Sequence, residues 1–179
     1  MGIAKPFIKE KLIIGLLYVR ESIVDTAEEQ LQSVFGDIDC KSCAYNFSNI
    51  SGYYDAEMGG EVYRRFVSFA QCVDPSRLAE IKLWTNRLEN GQASQGCRRI
   101  NLDPGLISHG KLSLATTKNA PHRIPLHSGI YAELTMFYAR RQWQPLPWTY
   151  LDFKTDQVKW FLEEARRIYL QQRRLEDAE

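Results

Sequence analysis

Hydrophobic and polar positions along the chain switch between continuous, helical and alternating patterns, and each switch marks an element. Residues 11–19 are continuously apolar with β-branched members, the pattern of a strand covered on both faces. Next, Ala27, Leu31, Val34 and Phe35 recur at helical spacing. Thr26 with Glu29 three residues on reads as a capping box, Ser22 is the alternative start, and Gly36 closes the helix. Residues 37–48 alternate in part and predict a second strand, and residues 49–60 form a turn-rich segment with two adjacent tyrosines. In residues 61–73, Tyr63, Val67, Phe69 and Val73 share one face, with Arg64, Phe66 and Ser68 on the other. Asp74 as N-cap and Pro75 in the first position then open a helix carrying Leu78, Ile81, Thr85 and Leu88, which Asn90-Gly91 stops.

Residues 97–102 predict another strand, which completes a ferredoxin-like βαββαβ order. Two further alternating runs, 111–117 and 129–141, predict strands that extend or flank the sheet. A Pro/Trp-rich connector, 143–148, leads to a last helix capped by Thr155, with Val158, Phe161, Leu162, Ala165, Ile168 and Tyr169 as its inner stripe. The expected fold class is therefore α+β: a ferredoxin-like core extended by additional antiparallel strands and a C-terminal helix. No repeat or linker divides the chain, so 1–179 reads as a single domain with 1–10 and 171–179 as flexible tails.

Composition changes this picture little but excludes several functions. With 44% hydrophobic and 12% aromatic residues the chain has a globular composition. A net charge of +1 gives no global field toward nucleic acid or an anionic membrane. The longest apolar run, residues 12–19, is under half of the roughly 20 residues that a spanning helix needs. No cleavage-site pattern follows it, so the default location is the cytoplasm, where four cysteines are expected reduced.

Candidate chemistry concentrates in residues 98–135. The string from Gly105 to Lys111 matches G-x-x-x-x-G-K, but Leu112 stands where a phosphate loop needs a hydroxyl, and a strand pattern follows where it needs a helix. The Asp103-Pro104-Gly105 tripeptide reads as a turn that Asp103 caps. Thr116, Thr117, Lys118 and Arg123 at a strand end suit an anionic or phosphorylated ligand. His122, His127 and Glu133 include suitable metal ligands or general bases, although no recognised spacing marks a metal site. Glu133 lies in an apolar strand and needs a partner, with Arg123 or His122 as the choice. Cys40-x-x-Cys43, with Cys72 and Cys97, lacks the second paired spacing of a structural zinc site. Tyr53 and Tyr54 can stack on a base or sugar, or close over the core. Arg64, Arg65, Lys82, Arg87, Arg98 and Arg99 could build a local basic surface, and packing does not explain Asp152 in the aromatic connector.

Several ordered blocks carry a resemblance: YYDAEMG (53–59), RRFVSFAQCVDPSRLAEIKLWTNRLE (64–89), RRINLDPG (98–105), LATTKNAPHRI (114–124), GIYAELT (129–135) and WTYLDF (148–153). Together they resemble an uncharacterised prokaryotic family of about this length, a domain of unknown function whose members are sometimes labelled GTP-binding proteins. The departures are Pro125 where relatives tend to have tyrosine and Leu151 where they tend to have proline. The label implies guanine-nucleotide binding, yet no N-K-x-D motif is present, and Thr117-Lys118-Asn119-Ala120 is at best an echo of one.

Three functions follow as expectations. The first is a binding module for a nucleotide or other phosphorylated ligand, with Lys118, Arg123 and Arg99 supplying charge, Thr117 a hydroxyl, and Tyr53 or Tyr54 stacking. The second is a hydrolase or phosphotransferase with Glu133, His122, Asp103 or Asp152 as base or metal ligand. The third is a protein or RNA interaction module. The residues name no cofactor.

Overall fold

The structure, a computed structural model, describes residues 2–93 and 97–176. The described residues form one nine-stranded antiparallel sheet with four helices. In chain order these are β1 (Glu10–Tyr18), α1 (Glu21–Phe35), β2 (Ile38–Lys41), β3 (Tyr45–Asn46), α2 (Asp55–Met58), β4 (Tyr63–Val73), α3 (Leu78–Gly91), β5 (Ile100–Ile107), β6 (Lys111–Thr116), β7 (Arg123–Pro125), β8 (Tyr131–Ala139), β9 (Gln142–Pro145) and α4 (Asp156–Glu176). The strands lie in the order β2-β4-β1-β5-β6-β8-β7, with β3 also on β4 and β9 also on β8. This is the expected α+β class, with β6 and β8 in the two predicted extra runs, β7 and β9 outside them, and α4 as the C-terminal helix.

β1 lies inside the sheet, between β4 and β5, because it is apolar toward both layers. Leu12, Ile14, Leu16 and Tyr18 meet α1 and α3, Ile13 meets α4, and Leu17 meets Phe47, Met58 and Val62. Each such buried side chain contributes about 1.5–3 kcal/mol. β4 divides as its alternation requires, with Val67 and Phe69 toward α1 and Phe66 toward α4. Lys11, fully buried beneath α4, is ion-paired with Asp39 and donates to Gln172 Oε1 at 3.1 Å. The expected tail from 171 is thus helical through Glu176, and residues 177–179 lie outside the described residues.

Four expectations change. α1 begins at Glu21, not at Thr26, whose hydroxyl instead donates to the Ser22 carbonyl within the helix. Val34 is exposed, because the buried face of α1 runs through Ile23, Val24, Ala27, Leu31 and Phe35. Asp103-Pro104-Gly105 is no turn: it lies inside β5, opposite Gly15, Ile14 and Ile13 of β1. Finally, residues 143–145, expected as the start of the connector, lie in β9. The β8–β9 hairpin turns on Arg140 and Arg141 at φ 53° and 62°. Paired positive φ values of this kind usually announce themselves as Asn-Gly or Asp-Gly, and two arginines carry no such signal.

Candidate functional site

The site exists because two neighbouring strands part. β5 and β6 pair only over residues 105–107 and 112–114. Before that point no strand among the described residues lies beside the outer flank of β5, and α3 side chains take over its backbone. Glu89 Oε1 accepts the Leu102 N–H at 2.9 Å, and Lys82 Nζ donates to the Leu102 carbonyl at 2.6 Å. Pro104, two residues on, faces the same flank, so its missing N–H breaks no ladder bond. A cavity of about 930 Å³ opens here, within the usual range for small-molecule sites. β5 contributes Asn101 and Asp103 to its lining, β6 contributes residues 114–116 where it parts from β5, and residues 148–153 form an aromatic wall.

Arg64 of β4 organises one side of the cavity. It is 4% exposed, and its guanidinium donates to Asp103 Oδ2 at 3.3 Å and lies 3.2 Å from Asp152 Oδ2. Phe66 and Phe153 pack against it at 4.6 and 5.4 Å from their ring centroids. To reach Asp103, Arg64 crosses β1 at Gly15, where a Cβ would stand 2.7 Å from Nη2. Burial works against the charge of Arg64, but Asp152 and then Asp103 outweigh it and hold its pKa above the ordinary value. Asp152 is 1% exposed and also accepts from Tyr45 Oη at 3.3 Å. Burial pushes the Glu89 carboxyl above the usual carboxylate range, with Lys82 and the Leu102 N–H pulling the other way. Burial, and next Asp103, raises the Tyr54 phenol above its ordinary value.

Glu133 of β8 organises the other side. It is 2% exposed, and both expected partners reach it: Arg123 Nε donates at 2.8 Å and His122 Nε2 lies at 3.1 Å. Arg123 also donates to the Lys118 carbonyl at 2.8 Å and to Tyr150 Oη at 3.0 Å, which ties β7, the loop before it and the connector together. The His122 ring stacks on Trp148 at 4.7 Å between centroids. Lys118 is exposed, with Nζ 5.2 Å from the Tyr53 ring centroid and 3.5 Å from its hydroxyl.

Of the residues singled out from the sequence, Tyr53, Tyr54, Asp103, Thr117, Lys118, Arg123, Glu133 and Asp152 line this one cavity. His122 stands behind its wall, holding Glu133 and Trp148. Arg99 does not line it. Its neighbour Arg98 does, 3.2 Å from Glu57 and donating to Asn101 Oδ1 at 2.7 Å. Arg64 and Lys82, expected on a basic surface, are buried in ion pairs. Sequence reasoning missed Glu89, Asn101 and Gly15. The available signal was a glycine inside an otherwise apolar strand, which often marks a close approach. Among the described residues no three His, Cys, Asp or Glu side chains converge as a metal ion would require. His127 meets Ser128, and the four cysteines are free.

Fold and site together define an α+β protein whose antiparallel sheet opens around a ligand-sized, aromatic and charge-paired cavity. More particularly, the chain belongs to the family described as a domain of unknown function, DUF4416, whose model matches residues 8–169 and so takes in every cavity residue. That description carries no ligand or reaction. Comparison with curated proteins and with solved structures gives no match. Among the described residues no helix is long and apolar enough to cross a membrane.

Proposed function

We propose that the cavity binds a small phosphorylated ligand of nucleotide or sugar-phosphate size. The observation that carries this reading is Lys118, a cavity cation with no carboxylate partner among the described residues, set beside the exposed face of Tyr53. The other lining cations are matched: Arg64 with Asp103 and Asp152, Lys82 with Glu89, Arg98 with Glu57, and Arg123 with Glu133. A paired interior repels a dianion, so the phosphate belongs at the rim, at Lys118 and the Thr117 hydroxyl, with Tyr53 beneath the attached group.

Thermal unfolding with ATP, AMP, glucose 6-phosphate and inorganic phosphate tests the reading. A ligand at 100 times its Kd adds about 2.7 kcal/mol, or about 5–11 °C for a chain of this size. Lys118→Ala, an exposed substitution, is expected to keep the fold and lose that shift. No shift with any of these compounds, or equal shifts in both proteins, overturns the reading.

A hydrolase or phosphotransferase is the second reading. What favours it is Asp103, whose side chain is 27% exposed to the cavity while Glu133 and Asp152 are almost fully enclosed. In that scheme Asp103 is the base, and Glu133, His122 and Asp152 are positioning residues. Release of inorganic phosphate that Asp103→Asn abolishes distinguishes catalysis from binding alone.

A further inference from the structure

The buried end of the cavity carries more information than its rim. Asn101 and Asp103 are two residues apart on β5, so their side chains leave the same face of the strand with Cα atoms about 7 Å apart. Asn101 is 5% exposed, and its Oδ1 is occupied by Arg98. Its Nδ2, however, has no hydrogen-bond partner among the described residues, and neither does Nε of Arg64. Buried donors are nearly always satisfied, so two orphans beside one cavity ask for an acceptor from a ligand. Asp103 supplies the complement. Its carboxylate takes one bond from Arg64 and lies 3.9 Å from Lys82, which leaves lone pairs free for a donor.

A ligand group that meets both demands must accept from Asn101 and donate to Asp103 over a short span. A carboxylate or phosphate cannot donate, and Asp103, Asp152 and Glu89 repel it. An ammonium cannot accept. A hydroxyl does both, and two neighbouring ring hydroxyls span an amide and a carboxylate on one strand face. The Tyr150 and Trp148 side chains in the same wall supply apolar faces for the C–H side of such a ring. We infer that the Asn101–Asp103 end binds adjacent hydroxyls of a sugar ring, which makes the ligand a phosphorylated sugar, free or as the ribose of a nucleotide. The inference rests on the phosphorylated-ligand reading and deepens it.

Titration calorimetry on the whole chain tests it, with ribose 5-phosphate, glucose 6-phosphate and AMP against 2-deoxyglucose 6-phosphate, 2′-deoxy-AMP, 3′-deoxy-AMP and inorganic phosphate. At least one hydroxylated compound is expected to bind at least about tenfold more tightly than its deoxy counterpart. Binding by the free sugar phosphates or by AMP then identifies the source of the ring. In Asn101→Asp, which keeps the acceptor for Arg98 but removes the donor, the hydroxylated ligand is expected to weaken about tenfold and the deoxy difference to vanish. Asn101→Ala, smaller, neutral and without a donor, repeats the test if the aspartate does not fold. Equal binding of hydroxylated and deoxy ligands by the wild type, or full discrimination in a folded Asn101 variant, overturns the inference while the phosphate site stands. Binding by none of the phosphorylated compounds removes both.

Discussion

Replacing Arg64 with methionine removes the cation that Asp152 and Asp103 share, yet keeps a side chain long enough to fill the space between Phe66 and Phe153. The consequence falls mainly on Asp152, which is almost fully enclosed and would retain, among the described residues, only the Tyr45 hydroxyl at 3.3 Å. Breaking a buried pair by removing one partner costs about 3–5 kcal/mol, because the remaining charge stays buried without compensation. Asp103 adds less, since it is partly solvated and retains Lys82 nearby. At about 2–4 °C per kcal/mol for a chain of this length, Tm is expected to fall by about 6–20 °C. Urea unfolding followed by tryptophan fluorescence measures the free energy directly. The partner variant decides the cause. Arg64→Met combined with Asp152→Asn removes the stranded charge while Tyr45 can still donate to the amide oxygen, and is expected to recover at least about 2 kcal/mol of the loss. A loss below about 1 kcal/mol for Arg64→Met would place the pair among ordinary surface ion pairs. That outcome, or a double variant no more stable than the single one, refutes the reasoning.

Gly15→Ala tests the crossing of β1. An alanine in a strand ordinarily gains about 0.5–1 kcal/mol over glycine, but here its Cβ would stand 2.7 Å from Arg64 Nη2 and 2.9 Å from the Phe66 ring. Overpacking of about 1–3 kcal/mol should win, so urea unfolding is expected to show a net loss, and a stabilised variant would remove the argument. Glu89→Gln tests burial at α3. Because burial raises the Glu89 pKa in the folded state, the native chain holds that proton more tightly than the unfolded one. The stability of wild type relative to Glu89→Gln is therefore greatest below the ordinary glutamate pKa of about 4.3 and declines as pH rises through the raised folded value. A difference that is flat with pH, or that grows toward neutral pH, contradicts the assignment.

The chain itself determined most of the elements and much of the candidate list, because period, capping and turn chemistry are local. The continuous apolar run became an interior strand, Asp74 with Pro75 opened the turn into α3, and the stripe of α4 is buried where its spacing put it, apart from the half-buried Ile168. Lys118, Arg123, Glu133 and Asp152 stood out because packing alone does not explain them. The tertiary structure decided what these residues do. Arg64, read as surface charge, became a buried hub because β1 offers a glycine for it to cross and β5 an aspartate to receive it. Asp-Pro-Gly, a turn by local rules, became strand because β6 leaves β5 before Pro104 and no ladder bond is lost. Arg98 lines the cavity and Arg99 does not, because neighbouring positions near a strand face differently, and a shift of one residue reverses them. The cavity itself arises where two strands part, and which strands pair, and for how far, is settled only by long-range packing.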